Sequence, residues 1–299
     1  MYAAISGLQA HQTMLDVTAN NLSNVDTIGY KAQRTTFVDR LSQEMRGASG
    51  PTASNAGTNA VQVGLGVQTG SIDNMMTGGS AQSTGNPLDL EIQGEGFFRV
   101  ATGNPATGVP TAFSYTRAGN FTTNTQGYLT TQQGLYVIGK QAVQGAGPAP
   151  YSYTANNTDS YIQIPPGSTD IAVGPDGSVT YVDQNPAHDP KNGATPPNDT
   201  YQTRVTAGYV SLASFPNEAG LERLGGSLWG QTANSGNAAT GVPGVNGYGS
   251  TISGELEMSN VDMATEFTNM ITAERGYQAN SRVITTADQM LQTLVQMGG

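Results

Sequence analysis

The sequence offers few side chains that could carry out catalysis. It has no cysteine and only two histidines, His11 and His188, so thiolate chemistry, cysteine-ligated metals and a Ser-His-Asp triad all lack material. Glu91 and Glu95 come nearest to a pair of catalytic carboxylates of the kind that hydrolyses glycosidic bonds. Glu91 falls on the polar face of a predicted strand and Glu95 in the turn that follows, which predicts solvated surface instead. We therefore predict that the chain is not an enzyme and holds no metal and no cofactor.

Nucleic acid and membranes are also poor candidates for ligands. The segment GLGVQTG, residues 64–70, has the glycines of a phosphate loop but neither its spacing nor its lysine. The chain carries 12 basic and 22 acidic residues, and a net charge of −10 disfavours binding to DNA or RNA. Its apolar runs all fall short of the roughly 20 residues that cross a bilayer. We expect no nucleic-acid binding and no membrane insertion.

The prolines divide the chain into two ends and a middle. All 15 prolines lie between Pro51 and Pro243. Because proline breaks helices from within, its absence permits long helices at both ends, and its density disfavours them between. The distribution predicts two terminal helices that enclose a different kind of domain.

Both ends show the apolar spacing of a helix that lies along another helix. The pattern is a narrow seam at the start of the chain and a strict seven-residue repeat at its end, both typical of coiled coils. We predict that these seam residues mediate self-assembly: Ile5, Leu8, Leu15, Leu22, Met263, Phe267, Met270, Tyr277, Ile284 and Leu291. Ordinary surface helices on the middle domain are the alternative. A helix over residues 258–297 would, however, be about 60 Å long, more than a small domain can cover.

The first helix should stop within ANNLSNVDTIGYK, residues 19–31. Short polar side chains such as Asn20, Asn21 and Asn24 compete with the backbone for hydrogen bonds, and Gly29 permits a sharp turn. These four residues form the predicted helix-ending turn.

The middle of the chain reads as antiparallel β-structure. In LDLEIQGEGFFRVA, residues 88–101, apolar and acidic residues alternate as in a half-buried strand, and two glycines then allow a bulge or turn. In TDIAVGPDGSVTYVD, residues 169–183, two strand patterns flank the turn sequence GPDG. Trp229 has the size and setting of a core residue. Short strands at this spacing predict an antiparallel sandwich or barrel.

The predicted fold class is α+β. Long terminal helices pair as a coiled-coil-like inner domain and enclose an all-β antiparallel sandwich or barrel. Residues 1–30 and 258–299 would form the inner helical domain, residues 31–75 an extended connecting region, and residues 76–257 an outer β domain. A rival interpretation is a secreted carbohydrate-active enzyme or adhesin, which would need a concave site with convergent carboxylates or aromatic rings.

Three segments resemble the rod and hook proteins of the bacterial flagellum. They are SGLQAHQTMLDVTANNLSNVDTIGYKAQRTTFVD near the start, GNPLDLEIQGEGFFRV at the head of the β region, and SNVDMATEFTNMITAERGYQANSRVITTADQMLQTLV near the end. Within this family, residues 62–90 and 283–295 are most similar to the hook protein, and the distal rod protein is the alternative.

The resemblance implies a structural role. The terminal helices would pair, many identical subunits would stack into a hollow helical tube, and the β domain would form its outer layer. As a hook, that tube would be a flexible universal joint that transmits motor torque to the filament. The implied partners are identical subunits, other axial proteins (rod, hook cap and hook-filament junction proteins) and the flagellar type III export apparatus. The implied location is the hook and basal body outside the cell, reached without a cleaved signal peptide, and MYAAISGLQ indeed lacks the features of one.

Overall fold

The computed structural model describes residues 2–51, 56–103, 105, 110, 112–144, 153–182, 204–245 and 247–298. Two α-helices, α1 (Tyr2–Ser23) and α2 (Met263–Met297), occupy the two ends. The strands up to the middle of the chain are β1 (Gln33–Asp39), β2 (Ser42–Arg46), β3 (Val61–Gly64), β4 (Val67–Asn74), β5 (Ala81–Ser83), β6 (Leu90–Gln93), β7 (Phe97–Thr102), β8 (Ala112–Thr116), β9 (Phe121–Thr123), β10 (Leu129–Thr131) and β11 (Tyr136–Gln144). The remaining strands are β12 (Tyr153–Tyr161), β13 (Thr169–Val173), β14 (Ser178–Val182), β15 (Arg204–Val210), β16 (Leu212–Ser214), β17 (Glu222–Gly225), β18 (Leu228–Gly230), β19 (Ala239–Gly241), β20 (Ser250–Ser253) and β21 (Glu255–Glu257), and a 3-10 turn covers Glu218–Gly220.

The chain forms two compact units, each assembled from separate segments. Unit 1 contains Met1–Val25, Lys31–Met75 and Val261–Gly299, and unit 2 contains Asp26–Tyr30 and Met76–Asn260. Both helices belong to unit 1, and strands β5 to β21 belong to unit 2.

Unit 1 combines the two helices with two short antiparallel strand pairs. Strand β1 pairs with β4 and carries a bulge between Thr36 and Phe37, while β2 pairs with β3. The region that we expected to be an extended connection, residues 31–75, therefore contains four paired strands. Threonine, valine and phenylalanine in QRTTFVD suit β1, since β-branched and aromatic residues pack well on a pleated surface.

Unit 2 is built around one large antiparallel sheet. The main path of this 13-stranded sheet runs β13-β14-β15-β11-β7-β8-β18-β17, and β9, β10, β12, β16 and β19 pair onto it. Two further pairs, β20 with β6 and β21 with β5, complete the unit. The predicted hairpin around GPDG is confirmed as β13 and β14. The α+β class is likewise confirmed, whereas the sandwich or barrel form stays a prediction.

The core of unit 2 lies on both faces of β7. Phe98 belongs to one buried cluster, where it meets Phe121 edge to face with ring centroids 5.1 Å apart. Phe97 points the other way, into a second cluster with Tyr115 and Trp229. Adjacent residues of a strand face opposite sides, so the pair Phe97-Phe98 anchors both clusters. Trp229 is only 2% exposed, as expected of a core residue.

The predicted alternation along β6 is wrong. Asp89, Leu90, Glu91 and Ile92 are all buried, and within β6 only its last residue, Gln93, is exposed. Asp89 is accommodated because its carboxylate accepts hydrogen bonds from the hydroxyl of Thr84 at 2.6 Å and from a neighbouring asparagine. The expectation that Glu91 lies on solvated surface is therefore also wrong. Pairing with β20 on one side and packing against the core explain the burial.

Candidate functional site

The end of α1 is closed by short polar side chains. The Ser23 hydroxyl donates to the carbonyl oxygen of Ala19 at 2.8 Å, and the Asn24 side chain donates to that of Asn20 at 2.9 Å. The backbone N–H of Asn24 donates to the carbonyl oxygen of Asn21 at 3.1 Å. The last carbonyl groups of a helix have no hydrogen-bond donor within the helix. The three bonds above provide donors for some of these carbonyl groups. α1 ends at Ser23, within the predicted segment, and the role of these polar residues in ending it stays a prediction.

Asn21 has a second role inside unit 1. It is 1% exposed, and its side-chain oxygen accepts the backbone N–H of Gln33 at 2.9 Å, while its nitrogen donates to the carbonyl oxygen of Gln33 at 2.7 Å. The same nitrogen donates to the Glu266 carboxylate at 3.2 Å. One side chain therefore joins α1 to the start of β1 and to the first turn of α2.

The first turn of α2 holds two carboxylates with opposite electrostatic settings. Burial raises the pKa of Glu266, and hydrogen bonds from Asn21 and Asn269 offset part of that effect. Asp262 caps α2, accepting from the backbone N–H of Ala264 at 3.0 Å, and a hydrogen bond from the Thr265 hydroxyl is the main cause that lowers its pKa. An N-terminal aspartate cap is a common way to satisfy the first N–H groups of a helix.

The two helices pack against each other in antiparallel fashion through small residues. A Cβ built on Gly7 would lie 2.8 Å from the side-chain nitrogen of Asn280, and one built on Gly276 would lie 2.5 Å from the His11 ring. Ala273, three residues before Gly276 on the same helix, is completely buried. Since Gly7 meets Asn280 and His11 meets Gly276, residue numbers fall along α2 as they rise along α1. Glycine permits this close approach because it has no side chain.

The predicted seam residues lie beside this contact line. Leu8, Leu15, Leu22, Met270 and Ile284 are half-buried. The other five remain exposed by two-fifths to one-half: Ile5 43%, Met263 51%, Phe267 50%, Tyr277 40% and Leu291 50%. Large exposed apolar side chains in a row are typical of an interaction surface. The structure thus leaves part of the seam available to a partner, and its coiled-coil form stays a prediction.

The last turns of α2 have no partner among the residues that the structure describes. Every residue from Asp288 to Gly298 is exposed, including Leu291 and four further large apolar residues. These four are Met290 at 59%, Leu294 at 66%, Val295 at 76% and Met297 at 87%. We call Asp288–Gly298 the helix overhang. Its apolar surface extends that of the exposed seam residues.

The glycine of the GYK motif holds a tight turn within unit 2. Gly29 has φ +66°, and a Cβ there would lie 2.5 Å from the backbone nitrogen of Ala118, so a side chain would be both strained and obstructed. The next residue, Tyr30, is buried beneath Arg223, whose guanidinium lies 4.6 Å from the Tyr30 ring and 5.0 Å from the Trp229 ring. A cation between two aromatic faces is attracted by both.

Unit 2 also contains two ion-pair clusters. Arg99 binds Asp159 through two hydrogen bonds of 2.9 Å, and Lys140 binds the same carboxylate at 2.7 Å. Burial alone would raise the pKa of Asp159, but the hydrogen bonds from Arg99 and Lys140 outweigh it and hold the pKa below its usual value. The second cluster pairs Arg117 with Glu257 at 3.4 Å, with both side chains at most 3% exposed. These arrangements fix strands in place and present no reactive group.

The residues first considered for chemistry are not brought together. Glu95 is exposed, Glu91 is buried in β6, and His188 lies outside the described residues. His11 belongs to the helix contact, with its ring centroid 6.0 Å from that of Phe37. Across the described ranges, no group of three or more histidine, cysteine or acidic side chains is placed to hold a metal ion. In the same part of the chain, no helix is both long and apolar enough to cross a bilayer.

Sequence reasoning missed the small-residue helix contact and the partners of Asn21. Gly7 and Gly276 were the available signal, because glycine inside a helix costs about 1 kcal/mol relative to alanine and so needs a reason. Glu266 and Gln33 had no such signal, since they are distant from Asn21 in sequence.

Comparison with known proteins agrees with the segments singled out above. The family described as flagella basal body rod protein matches residues 1–31, the D1 domain of flagellar hook protein FlgE/F/G matches residues 91–181, and the C-terminal region of flagellar basal body rod FlgEFG protein matches residues 252–297. These matches cover α1 and its end, the first part of the unit 2 sheet, and α2.

Full-length relatives extend the similarity over nearly the whole chain. The flagellar basal-body rod protein FlgG of Bacillus subtilis is 39% identical over 298 residues, which cover 99% of this chain and 98% of the relative. FlgG of Caulobacter vibrioides is 37% identical, with 98% and 97% covered. The flagellar hook protein FlgE of Borreliella burgdorferi is 29% identical over 437 residues, with 99% of each chain covered. Similarity at this level over whole chains shows that the protein belongs to the flagellar FlgE/F/G family of rod and hook proteins, which are structural components of the flagellum.

Proposed function

We propose that this protein is a distal rod subunit of the flagellar basal body, assembling with identical copies into a hollow helical tube. Length is the observation that carries the proposal. This chain and the FlgG rod proteins align almost end to end over about the length of this chain, as with 298 residues for Bacillus subtilis FlgG. The alignment with the hook protein FlgE runs over 437 residues, more than the 299 residues of this chain. The hook relative therefore carries insertions that this chain lacks.

The hook subunit, favoured by the sequence alone, becomes the alternative. It keeps some support, because a domain named for flagellar hook protein FlgE/F/G matches residues 91–181. That name covers hook and rod proteins together, so the match does not separate them. The 29% identity to the hook relative is also below the 37% and 39% found for the two rod relatives.

Assembly would use the surface that unit 1 leaves exposed. Four of the exposed seam residues (Met263, Phe267, Tyr277 and Leu291) and the helix overhang together present a long apolar strip on α2. Apolar area contributes about 25 cal/mol per Å² when it is buried. A neighbouring copy is the natural cover, since identical copies repeat the same strip in a helical array. The half-buried methionine Met270 is unbranched and adapts its shape readily.

The remaining parts of the proposal concern partners and location. Rod, hook cap and hook-filament junction proteins would continue the same axial structure above and below. The flagellar type III export apparatus would deliver the chain to the basal body outside the cell without a cleaved signal peptide. The family membership supports these partners.

The test is electron microscopy of the full-length protein beside a truncated variant that lacks residues 259–299, both under polymerising conditions. Straight hollow tubes from the full-length chain alone would support the rod proposal, because the truncation removes α2. Curved tubes would favour the hook alternative. Monomers from both samples would contradict assembly through the helical unit.

A further inference from the structure

Unit 2 contains a cavity that lies outside the proposed assembly surface on α2. It has a volume of about 290 Å³ and lies where four loops meet: the turn at residues 26–30, the β8–β9 connection, the β10–β11 turn and the β17–β18 turn. This size is close to the lower end of pockets that hold small ligands.

The lining of the cavity is polar but uncharged. None of the residues that line it, all within the described part of the chain, is an acid, a lysine, an arginine or a histidine. Carboxamides come from Asn120, Gln132 and Gln133, and hydroxyls come from several threonines and a serine. Ile28 and Leu228 add an apolar wall. A charged ligand would find no counter-charge here, whereas a neutral ligand with many hydroxyl groups would find donors and acceptors.

Two of the carboxamides are available for a ligand. Among the described residues, neither the side chain of Asn120 nor that of Gln132 has a hydrogen-bond partner. A carboxamide presents two donor hydrogens and an acceptor oxygen, and it can therefore bind adjacent hydroxyl groups of one sugar ring. The hydroxyl of Thr131 accepts the backbone N–H of Leu135 at 3.2 Å and keeps its own hydrogen free to donate.

The walls of the cavity are held in place by hydrogen bonds between its loops. The side chain of Gln133 donates to the carbonyl oxygen of Gly226 at 2.8 Å, joining the β10–β11 and β17–β18 turns. The Ser227 hydroxyl donates to the carbonyl oxygen of Ile28 at 3.2 Å, and the hydroxyl of Thr116 donates to that of Ser227 at 2.9 Å. Loops fixed in this way form a pocket before a ligand arrives, which lowers the entropic cost of binding.

Ser227 also adopts an unfavourable backbone conformation at the edge of the cavity. Its φ of +60° is in the left-handed region, which non-glycine residues rarely occupy. Such strained residues cluster at functional sites, where the surrounding structure holds them. Here the strain places the Ser227 hydroxyl and carbonyl within the bonding network that shapes the pocket.

We infer that this cavity binds a neutral carbohydrate of one or two sugar rings. The carboxamides of Asn120 and Gln132 and the hydroxyl of Thr131 bind the sugar hydroxyls, while Ile28 and Leu228 contact an apolar face of the ring. This site differs from the one that the rival sequence interpretation required, since it contains no carboxylate for hydrolysis. It is a binding site and not a catalytic one.

The experiment is saturation-transfer NMR on the full-length protein with two neutral disaccharides, N,N′-diacetylchitobiose and cellobiose, and with protonated glucosamine and glucuronate as charged comparisons. We expect saturable binding of at least one neutral disaccharide and none of the charged sugars. The double variant Asn120→Ala/Gln132→Ala should weaken that binding by about tenfold or more, since it removes several hydrogen bonds. The matched control is Gln93→Ala, which removes an exposed carboxamide of β6 outside the cavity and should change nothing.

Unfolding followed by the fluorescence of Trp229 would show whether the double variant still folds. If it does not, Gln132→Ala alone, in an exposed turn, should still weaken binding several-fold. Absence of saturable binding by either neutral disaccharide would overturn the inference. Equal binding of the charged sugars, or binding unaffected by the Asn120 and Gln132 changes, would overturn it as well. Tube formation is measured separately, so either proposal can fail while the other stands.

Discussion

Asn21 binds the backbone of Gln33 with both polar atoms of its side chain, accepting its N–H at 2.9 Å and donating to its carbonyl oxygen at 2.7 Å. The side chain of Asn21 thus makes the two hydrogen bonds to Gln33, the first residue of β1, that a neighbouring strand would otherwise make. Its burial, at 1% exposed, makes this contact sensitive to substitution.

Asn21→Ala should destabilise unit 1 by about 2–4 kcal/mol, because it leaves two backbone groups of Gln33 without partners in a buried site. Urea unfolding followed by circular dichroism at 222 nm reports on unit 1, which contains both α-helices. The control is Asn20→Ala, one residue earlier and exposed, for which we expect a change below about 0.5 kcal/mol. Equal losses for the two variants would show that the contact with Gln33 contributes little.

The pH dependence of unit 1 should separate Glu266 from Asp262. Burial raises the pKa of Glu266, so its ionised form is less favourable in the folded state. Its contribution to stability is present below the unfolded pKa and decreases as pH rises through the raised, folded pKa. Glu266→Gln should remove this decrease and leave the variant at least as stable as the parent at neutral pH, since the amide oxygen still accepts from Asn21.

Asp262, at the start of the same helix, should contribute to stability with the opposite pH dependence. Its pKa is lowered, chiefly by the hydrogen bond from Thr265, so its contribution is present above the unfolded pKa and is lost as pH falls through the folded pKa. Asp262→Asn should flatten the acid side of the stability curve. Unfolding by urea at several values between pH 3 and 7, roughly the range in which carboxyl groups titrate, checks both. If both variants changed the slope of unfolding free energy against pH in the same direction, the opposite pKa shifts given for Glu266 and Asp262 would be wrong.

The close contact of α1 with α2 predicts a strict size limit at Ala273. This residue is fully buried, and Ala273→Leu would insert three carbon atoms into a packed interface. We expect a loss of about 1–3 kcal/mol in the free energy of unfolding of unit 1. Ala279→Leu makes the same change at an exposed position of the same helix and should be nearly neutral. If α2 accepted leucine equally well at both positions, the small-residue contact would not limit the approach of the helices.

Assembly should depend on the exposed apolar strip. Leu291→Asp places a charge on a side chain that is 50% exposed, so it should block tube formation without unfolding the single chain. Gln296→Asp adds the same charge at an exposed polar position of the overhang and should leave assembly intact. Electron microscopy reports on tube formation, and an unchanged circular dichroism signal at 222 nm shows that the helices of unit 1 still fold. Normal tubes from Leu291→Asp would exclude this strip as an assembly surface.

The buried pair Arg117–Glu257 predicts a large effect in unit 2. Glu257→Gln leaves the guanidinium of Arg117, which is 3% exposed, without its carboxylate, and breaking such a pair typically costs about 3–5 kcal/mol. The single tryptophan, Trp229, lies in unit 2 and reports its unfolding. Glu255→Gln, two residues earlier on β21 and half-buried, is the control and should cost under about 1 kcal/mol. Similar losses of unfolding free energy for both variants would show that the ion pair contributes little to the stability of unit 2.

Local patterns in the sequence predicted the elements well. Proline-free ends predicted the two helices, and GPDG predicted the β13–β14 hairpin, because helix breaking and turn formation depend on residues close together in the chain. Glu91 was misplaced since its burial depends on β20, which lies far away in sequence. The same limit applies to Asn21, whose neighbours Gln33 and Glu266 are brought together only by the fold.

The surface between the helices and the lining of the cavity were also beyond the reach of sequence patterns. Large apolar residues at helical spacing indicate a helix seam, whereas Gly7, Ala273 and Gly276 form a close contact because they are small. Asn120, Gln132 and Ser227 come from three separate loops, and no periodicity connects them. The overall class of protein was nevertheless identifiable, because the three resembling segments are long and lie at element boundaries.

The antiparallel pairing of α1 with α2 also has a consequence for the order in which parts of the protein fold. About 240 residues separate the two helices. Closing so long a loop costs entropy, and the helix contact offsets this cost only after it has formed. Residues 266–280 are synthesised after Met76–Asn260, so α1 has no helical partner until the whole chain of unit 2 has been made. The contact between the two helices of unit 1 therefore forms only after the last residue of unit 2 has been synthesised.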